Sequence, residues 1–208
     1  MAIAGGDFNG DGREEIATAD ALARRVSVVW NRGGNDFEIE RLPVAENPVV
    51  LITADFDGDA DLDMATAVGF QVVLLWNDGS GGFAPERPLL VDSPPVSLLA
   101  VDLDADGDLD IVSGNTPGAN TMEDNISVFL NQGGGAFALP RNYAAGINPM
   151  ALAAEDIDGD GHVDLAVANA GRFVDLLERG SLAADPENES VILLMNRGDT
   201  TFLPAIVV

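Results

Sequence analysis

The chain contains no cysteine, no lysine and a single histidine among its 208 residues. Without cysteine it can form neither disulfide bonds nor thiolate-ligated zinc or iron sites. With His162 as its one imidazole, it also lacks the usual constellations of nucleophilic catalysis. We therefore expect a protein that is not an enzyme.

Positive charge is scarce as well, because ten arginines stand against 35 acidic residues and the formal net charge is −25. Nucleic acids and anionic membrane surfaces both need clustered positive charge, so neither is an expected partner. No apolar run approaches the roughly 20 residues of a membrane span, and the segment MAIAGGDFNGDG has neither the basic nor the apolar region of a signal peptide. We expect no membrane insertion, and partners that include cations.

An acidic motif is present four times. It reads GDFNGDGREEI at 6–16, ADFDGDADLDM at 54–64, VDLDADGDLDI at 101–111 and EDIDGDGHVDL at 155–165. Two further markers keep the same register: an Asn and a Phe six residues apart, in NRGGNDF, NDGSGGF, NQGGGAF and NRGDTTF, and a proline seven residues before the first acid, at Pro48, Pro95 and Pro149. Three markers in one register indicate a four-fold internal repeat of about 50 residues.

Each repeat contains four short segments with strand character, two of them flanking the acidic loop. This pattern predicts an all-β chain, a β-propeller of four-stranded antiparallel blades at approximately 1–48, 49–95, 96–149 and 150–208. Trp30 and Trp76 occupy equivalent strand positions, so both are expected in the core. A β-solenoid or a pair of sandwiches is the alternative, but solenoid periods are usually shorter and sandwiches would not repeat three markers.

The acidic loop has oxygen-bearing side chains at positions one, three, five and nine, counted from its first aspartate. Glycines let such a loop curl so that these groups converge, and an all-oxygen ligand set is what calcium prefers. The seventh residue would add its backbone carbonyl. An EF-hand is excluded, because it needs an acid at position twelve, where this chain has Thr18, Thr66, Ser113 and Val167.

The candidate ligands therefore fall into four sets. They are Asp7, Asn9, Asp11, Arg13 and Glu15 in loop one; Asp55, Asp57, Asp59, Asp61 and Asp63 in loop two; Asp102, Asp104, Asp106, Asp108 and Asp110 in loop three; and Asp156, Asp158, Asp160, His162 and Asp164 in loop four. Loop one replaces a carboxylate with an amide and is expected to bind most weakly. Loop two has Ala60 where the others have glycine, which costs about 1 kcal/mol if that position needs a positive φ.

With these loops and the N-x-G-x-x-x-F turns, the chain resembles the FG-GAP/VCBS repeat family, which builds integrin α-chain propellers and many bacterial surface proteins. The resemblance implies Ca²⁺ in the loop between the first two strands of each blade, up to four ions in all. It also implies an extracellular or cell-surface binding or adhesion module with a protein or carbohydrate ligand. A lectin-like domain and a propeller segment of a secreted enzyme are the alternatives.

Propellers of this family usually have seven blades, and four are present here. We expect a fragment of a longer propeller or a half-ring, with self-association through open blade edges. Repeats three and four carry longer connections at 115–125 and 169–190, which would form a ligand face opposite the calcium loops or remain without ligand. Within the second, FVDLLER is expected to form one or two helical turns, with Arg172 and Arg179 available to an acidic or sugar ligand.

Overall fold

A computed structural model describes residues 2–85, 88–116, 125–171, 173–176, 181–184 and 190–208. The regular secondary structure in this part of the chain consists of β-strands alone, so the predicted all-β class is confirmed. No helix in it is long and apolar enough to cross a bilayer.

The strands form four main sheets, which we number in chain order. Sheet 1 contains β1 (Ala2–Gly6), β2 (Glu15–Asp20), β3 (Arg25–Gly33) and β4 (Asp36–Pro43). Sheet 2 contains β5 (Pro48–Ala54), β6 (Asp63–Val68), β7 (Gln71–Asn77) and β8 (Phe83–Pro85), and a short β9 (Leu89–Leu90) also pairs with β7. Sheet 3 contains β10 (Pro95–Val101), β11 (Asp110–Asn115), β12 (Asn125–Phe129) and β13 (Arg141–Ala144).

Sheet 4 begins with β14 (Pro149–Glu155) and β15 (Asp164–Asn169). A separate hairpin of β16 (Phe173–Leu176) and β17 (Ser181–Ala184) follows, and β18 (Ser190–Leu194) and β19 (Ile206–Val207) then complete the sheet. All neighbouring strands are antiparallel and, within each main sheet, follow chain order. The predicted repeat of four-stranded antiparallel blades is therefore confirmed.

The sheets stack side by side, with the first strands β1, β5, β10 and β14 in contact along the stack. Three apolar clusters fill the spaces between sheets 1 and 2, sheets 2 and 3, and sheets 3 and 4. No cluster of described buried residues joins sheet 4 to sheet 1, so this stack does not close into a ring. Trp30 lies in the first cluster and Trp76 packs against the second, as predicted.

The repeated prolines begin the first strands of the last three sheets. Pro48, Pro95 and Pro149 are buried, and the pairing with the second strand is irregular directly after each of them. Proline has no N–H to donate to a ladder, so the first residue of a strand is a place that tolerates it.

The helical turns expected in FVDLLER are wrong over Phe173–Leu176, which is β16 and pairs in register with β17. A helix nucleus of one turn is costly because several residues are fixed for one hydrogen bond. A hairpin instead gives every residue of this short segment a partner. Arg172, Arg179 and residues 117–124 of the other long connection lie outside the described residues.

Candidate metal centres

Each acidic loop joins the first two strands of its sheet, which places it at one end of that sheet. In loops two, three and four the carboxylates at positions one, three and nine converge, with one oxygen of each within 4.8 Å of the others. These clusters are Asp55, Asp57 and Asp63; Asp102, Asp104 and Asp110; and Asp156, Asp158 and Asp164. Loop one, which is described throughout, forms no such cluster of three acidic groups, since Asn9 occupies its third position.

The first carboxylate of every loop holds the loop in its curl. Its Oδ2 accepts a hydrogen bond from the backbone N–H at position six, in the pairs Asp7–Gly12 (2.8 Å), Asp55–Ala60 (2.9 Å), Asp102–Gly107 (3.1 Å) and Asp156–Gly161 (3.0 Å). The first aspartate of each acidic loop therefore stabilises the curl of its own loop through a hydrogen bond within that loop.

The curl requires backbone conformations that favour glycine. At position six φ is positive in all four loops, including +75° at Ala60, so the conformation suspected from the sequence is present. Position four is also left-handed, and there Ala105 has a φ of +60° where the other loops have glycine. The sequence showed this second exception too, because 102–110 reads DLDADGDLD, but only position six had been suspected of needing a positive φ.

The ninth carboxylate is buried, and both its oxygens accept backbone hydrogen bonds. In loop two, Asp63 Oδ2 accepts from Phe56 N at 3.0 Å and Oδ1 accepts from Asn77 N at 2.8 Å. Asp110 and Asp164 make the same two contacts in their own loops. The ninth residue thus fastens the acidic loop to the turn that follows the third strand of the same sheet.

The asparagine of that turn extends the connection to the preceding sheet. Its side-chain Nδ2 donates to the carbonyl oxygen of the second loop residue one sheet earlier, from Asn77 to Phe8 (2.8 Å), Asn131 to Phe56 (2.7 Å) and Asn196 to Leu103 (2.8 Å). The rings of Phe8 and Phe83, and of Phe56 and Phe137, meet edge to face beside these bonds. The Asn and Phe marker therefore forms the joint between neighbouring sheets.

The clustered carboxylates repel one another and are removed from water. The pKa of Asp63 and that of Asp110 are each raised to about 6, mainly by burial and to a smaller extent by neighbouring acids of the loop, while the backbone hydrogen bonds act in the opposite direction. Burial is also the main cause of the raised pKa of Asp57 and of Asp104. Oδ1 of Asp104 is buried without a hydrogen-bond partner. A cation among these oxygens would offset both effects.

The fifth carboxylates stand outside the clusters. Oδ1 of Asp59, for example, accepts a hydrogen bond from Asp61 N at 3.0 Å. The seventh side chains lie over the turn glycine of the same sheet, as Asp61 does over Gly79 and His162 over Gly198. In loop one, Arg13 at position seven forms an ion pair with Asp11 and donates from Nε to the Asn31 carbonyl at 2.8 Å.

A family model for the FG-GAP-like repeat matches residues 7–66 and 102–167, more than half of the chain. The chain belongs to the FG-GAP-like repeat family. The two matched segments contain all four acidic loops and all or the first part of the second strand of each sheet, so the resemblance drawn from those loops is confirmed. A comparison with curated proteins gives no significant match.

Several solved structures share the FG-GAP-like fold at low sequence identity. They include an Agrocybe aegerita lectin that recognises non-reducing terminal N-acetylglucosamine (TM-score 0.52, 19% identity) and the V. cholerae biofilm matrix protein Bap1 (TM-score 0.59, 21% identity). A third is BBS1N in complex with ARL6DN (TM-score 0.59, 15% identity). Each match covers 99% of this chain but 65%, 28% and 67%, respectively, of the other. The chain thus spans less than two thirds of the length of the lectin and of Bap1.

Two cavities are lined by residues outside the three carboxylate clusters. One of about 540 Å³ is at the opposite end of the sheets, where Arg24, Glu46, Gly69 and Pro95 contribute to its wall. Another of about 680 Å³ lies beside the outer strands of sheet 1 and is lined by charged side chains such as Arg32 and Glu38, by Trp30 and Ile39, and by the turn residues Ser80 to Gly82. The first lies at the end where the sequence predicts ligand binding.

Proposed function

We propose that this FG-GAP-like chain is a calcium-binding module and that its acidic loops each hold one Ca²⁺. The observation that carries the proposal is the convergence of three carboxylates in loops two, three and four. The buried, unpartnered oxygen of Asp104 supports it, because a buried anionic oxygen without a donor is costly unless something positive is near.

The donor set fits calcium better than other common metals. All candidate donors are oxygens, which suits a hard cation, and Mg²⁺ usually keeps several waters rather than entering an all-protein site. Zinc favours imidazole and thiolate, but the chain has no cysteine and His162 lies against Gly198. Residues at positions one, three and nine would hold the ion, with the fifth carboxylate and the seventh carbonyl as further ligands. Loop one, with Asn9, would be the weakest of four sites.

Calcium bound in this way would stabilise the fold rather than act in a reaction. Four divalent ions would add eight positive charges to a chain whose formal net charge is −25. They would also stabilise the ionised ninth carboxylate, which binds the turn that joins two sheets. The proposal assigns the chain no catalytic activity, in keeping with its lack of cysteine and lysine.

Calcium should raise the thermal midpoint strongly, because it binds the folded loop and not the unfolded chain. A free concentration of 100 times the dissociation constant stabilises by about 2.7 kcal/mol per site. Scanning calorimetry of calcium-depleted and calcium-loaded protein, with calcium counted by elemental analysis, tests this directly. An unchanged midpoint in protein that contains no calcium would refute the proposal.

Two substitutions in loop three sharpen the test. Asp104→Asn removes a clustered carboxylate, whereas Asp108→Asn makes the same chemical change at the seventh position, outside the cluster. We expect the calcium affinity of loop three to fall in the first variant, toward that of loop one with Asn9 at the same position, and to remain unchanged in the second. Equal losses in both would mean that overall negative charge, and not the cluster, retains calcium.

We further infer that the module acts outside the cell or at its surface, where free calcium is abundant, and binds a protein at the end opposite the metal sites. The cavity near Arg24 supports this, as does the fold shared with a biofilm matrix protein. A carbohydrate ligand is the second candidate, and it would bind elsewhere, because the groove of suitable size that is lined by Arg32, Glu38 and Ser80 lies beside the outer strands of sheet 1. Binding to a glycan array that requires calcium would favour a carbohydrate, and an array without hits would favour a protein.

A further inference from the structure

The joint between neighbouring sheets has the same two halves at each of its three occurrences. The earlier sheet supplies the second residue of its acidic loop, whose side chain is buried and whose carbonyl accepts a hydrogen bond. The later sheet supplies the asparagine that donates this bond and an apolar surface formed by the turn phenylalanine and the first apolar residue of its second strand. The chain carries four copies of each half, and three joints are formed among the residues that the structure describes.

The unused half of sheet 4 is centred on Ile157. Its counterparts Phe8, Phe56 and Leu103 are 1%, 1% and 2% exposed because the next sheet covers them, whereas Ile157 is 42% exposed. Its backbone N–H still donates to Asp164 at 2.9 Å, so loop four has the same internal arrangement as the other loops. Loop four therefore has the conformation that the other loops have in a joint, but no neighbouring sheet in the described part of the chain covers Ile157.

The unused half of sheet 1 consists of Asn31, Phe37 and Ile16. Phe37 is 58% exposed, while its three counterparts are half-buried, and Ile16 is 44% exposed where Met64, Ile111 and Leu165 are fully buried. Asn31 Nδ2 contacts only its own loop, at 3.4 Å from the Glu14 carbonyl. It therefore lacks the short bond, of 2.7 or 2.8 Å, that every other asparagine of this series makes to a preceding sheet.

We propose that these two halves bind each other between two copies of this chain, head to tail, and form a fourth joint of the same kind. Ile157 of one copy packs against Phe37 and Ile16 of the other, and its carbonyl accepts the hydrogen bond from Asn31. Because the two surfaces differ, the contact is heterologous, and it closes only if the rotation between copies permits a ring. A closed pair uses two such joints at once, and an open array uses one at each contact.

The occupant is a second copy because the same chain presents both complementary surfaces, in the chemistry that it already uses internally three times. Each copy has a formal net charge of −25, so repulsion opposes the contact at low ionic strength. We therefore expect association to strengthen with salt, which screens this repulsion. A contact governed by surface ion pairs would weaken instead.

A charge-swap experiment tests both the joint and its direction. Ile157→Glu and Phe37→Arg each place a charge on one half of the joint, at side chains that are already partly exposed. Leu22→Glu is the matched control, since Leu22 is 97% exposed and belongs to neither half. Sedimentation velocity at micromolar concentration in 0.3 M NaCl, where the screening length is about 6 Å, measures association, and circular dichroism checks that each variant is folded.

We expect the unsubstituted chain and the Leu22→Glu control to associate, and the two joint variants to be monomeric when alone, with affinities at least about tenfold lower. An equimolar mixture of Ile157→Glu and Phe37→Arg should associate again, because the introduced carboxylate and guanidinium meet across one joint while the other joint retains its original residues. A monomeric unsubstituted chain would overturn the proposal, as would a mixture that does not recover. Neither result would affect the calcium proposal, which is tested by metal content.

Discussion

The hydrogen bond from the turn asparagine to the preceding loop should be a main determinant of stability, and Asn131→Ala tests it. This substitution removes the donor to Phe56 O at 2.7 Å and to Leu109 O at 3.1 Å. Both bonds lie in or beside the core between sheets 2 and 3, where Asn131 is 2% exposed. A buried acceptor left without a donor costs about 1–3 kcal/mol, so the two together should cost about 3 kcal/mol.

Asn31→Ala is the matched control, because the two asparagines occupy the same position in different sheets. Each accepts a backbone hydrogen bond from the glycine two residues later, at 3.1 Å for Asn31 and 3.2 Å for Asn131. Asn31 has no partner in a preceding sheet of the same chain, and its one other bond is long and exposed. We expect its replacement to cost below about 1 kcal/mol.

The difference of about 2 kcal/mol isolates the bond between sheets. For a chain of this size it corresponds to about 4–8 °C in the thermal midpoint. Calorimetry at one fixed calcium concentration, with protein dilute enough to be monomeric, measures it. If both variants lost equal stability, the asparagine would matter only for its local turn, and the joint described here would not hold the sheets together.

Two further predictions concern backbone strain and pH. Ala60→Gly and Ala105→Gly should each stabilise the protein by about 1 kcal/mol, because both alanines have positive φ. Ala153→Gly, within β14, is the control and should destabilise the protein by about 0.5–1 kcal/mol. Urea unfolding measures all three. The pH prediction concerns calcium-depleted protein in 0.5 M salt, where the screening length is about 4 Å. Its free energy of unfolding should fall as the pH rises from about 4 to about 6. The reason is that the pKa of Asp63 and Asp110 is raised to about 6 in the folded state, which therefore binds more protons than the unfolded state over this range. With calcium present these carboxylates must be ionised, so the gain from calcium should shrink as pH falls below about 6; a metal-free protein that became more stable from pH 4 to 6 would contradict this assignment.

The sequence was sufficient to predict the four sheets because their signals are local and repeated. A loop with acids at fixed spacing, an asparagine turn and a proline each report on a few neighbouring residues, and four occurrences in register define the blade. The conformation of Ala60 followed from the same comparison, because the other three loops have glycine there. Where only one copy of a segment exists, as in FVDLLER, no such comparison was available, and the predicted helical turns are wrong over Phe173–Leu176.

What the sequence did not show is how one repeat recognises the next. The marker spacing revealed Asn77 and Phe83, but their partners Phe8 and its carbonyl lie 69 residues or more away along the chain. Nothing in a single sequence distinguishes an asparagine that only closes a turn from one that also bonds to another sheet. The same limit applies to Asp104, whose unpartnered oxygen depends on how tightly the loop curls.

The distribution of the acidic clusters follows that of the joints. Loops two, three and four each have three converging carboxylates, and each has a ninth acid bound to an asparagine that reaches a preceding sheet. Loop one has neither the cluster nor a preceding sheet, and Arg13 pairs with its fifth-position acid. Because the ninth carboxylate belongs to both the cluster and the joint, loss of a cation from loop two should loosen the contact between sheets 1 and 2. Loss from loop three should loosen the contact between sheets 2 and 3, and loss from loop four that between sheets 3 and 4. Loop one takes part in the joint between sheets 1 and 2 from the other side, because Glu15 accepts a hydrogen bond from Phe8 N at 3.1 Å and the Phe8 carbonyl accepts the bond from Asn77. Even the weakest of the four candidate sites therefore lies against a joint.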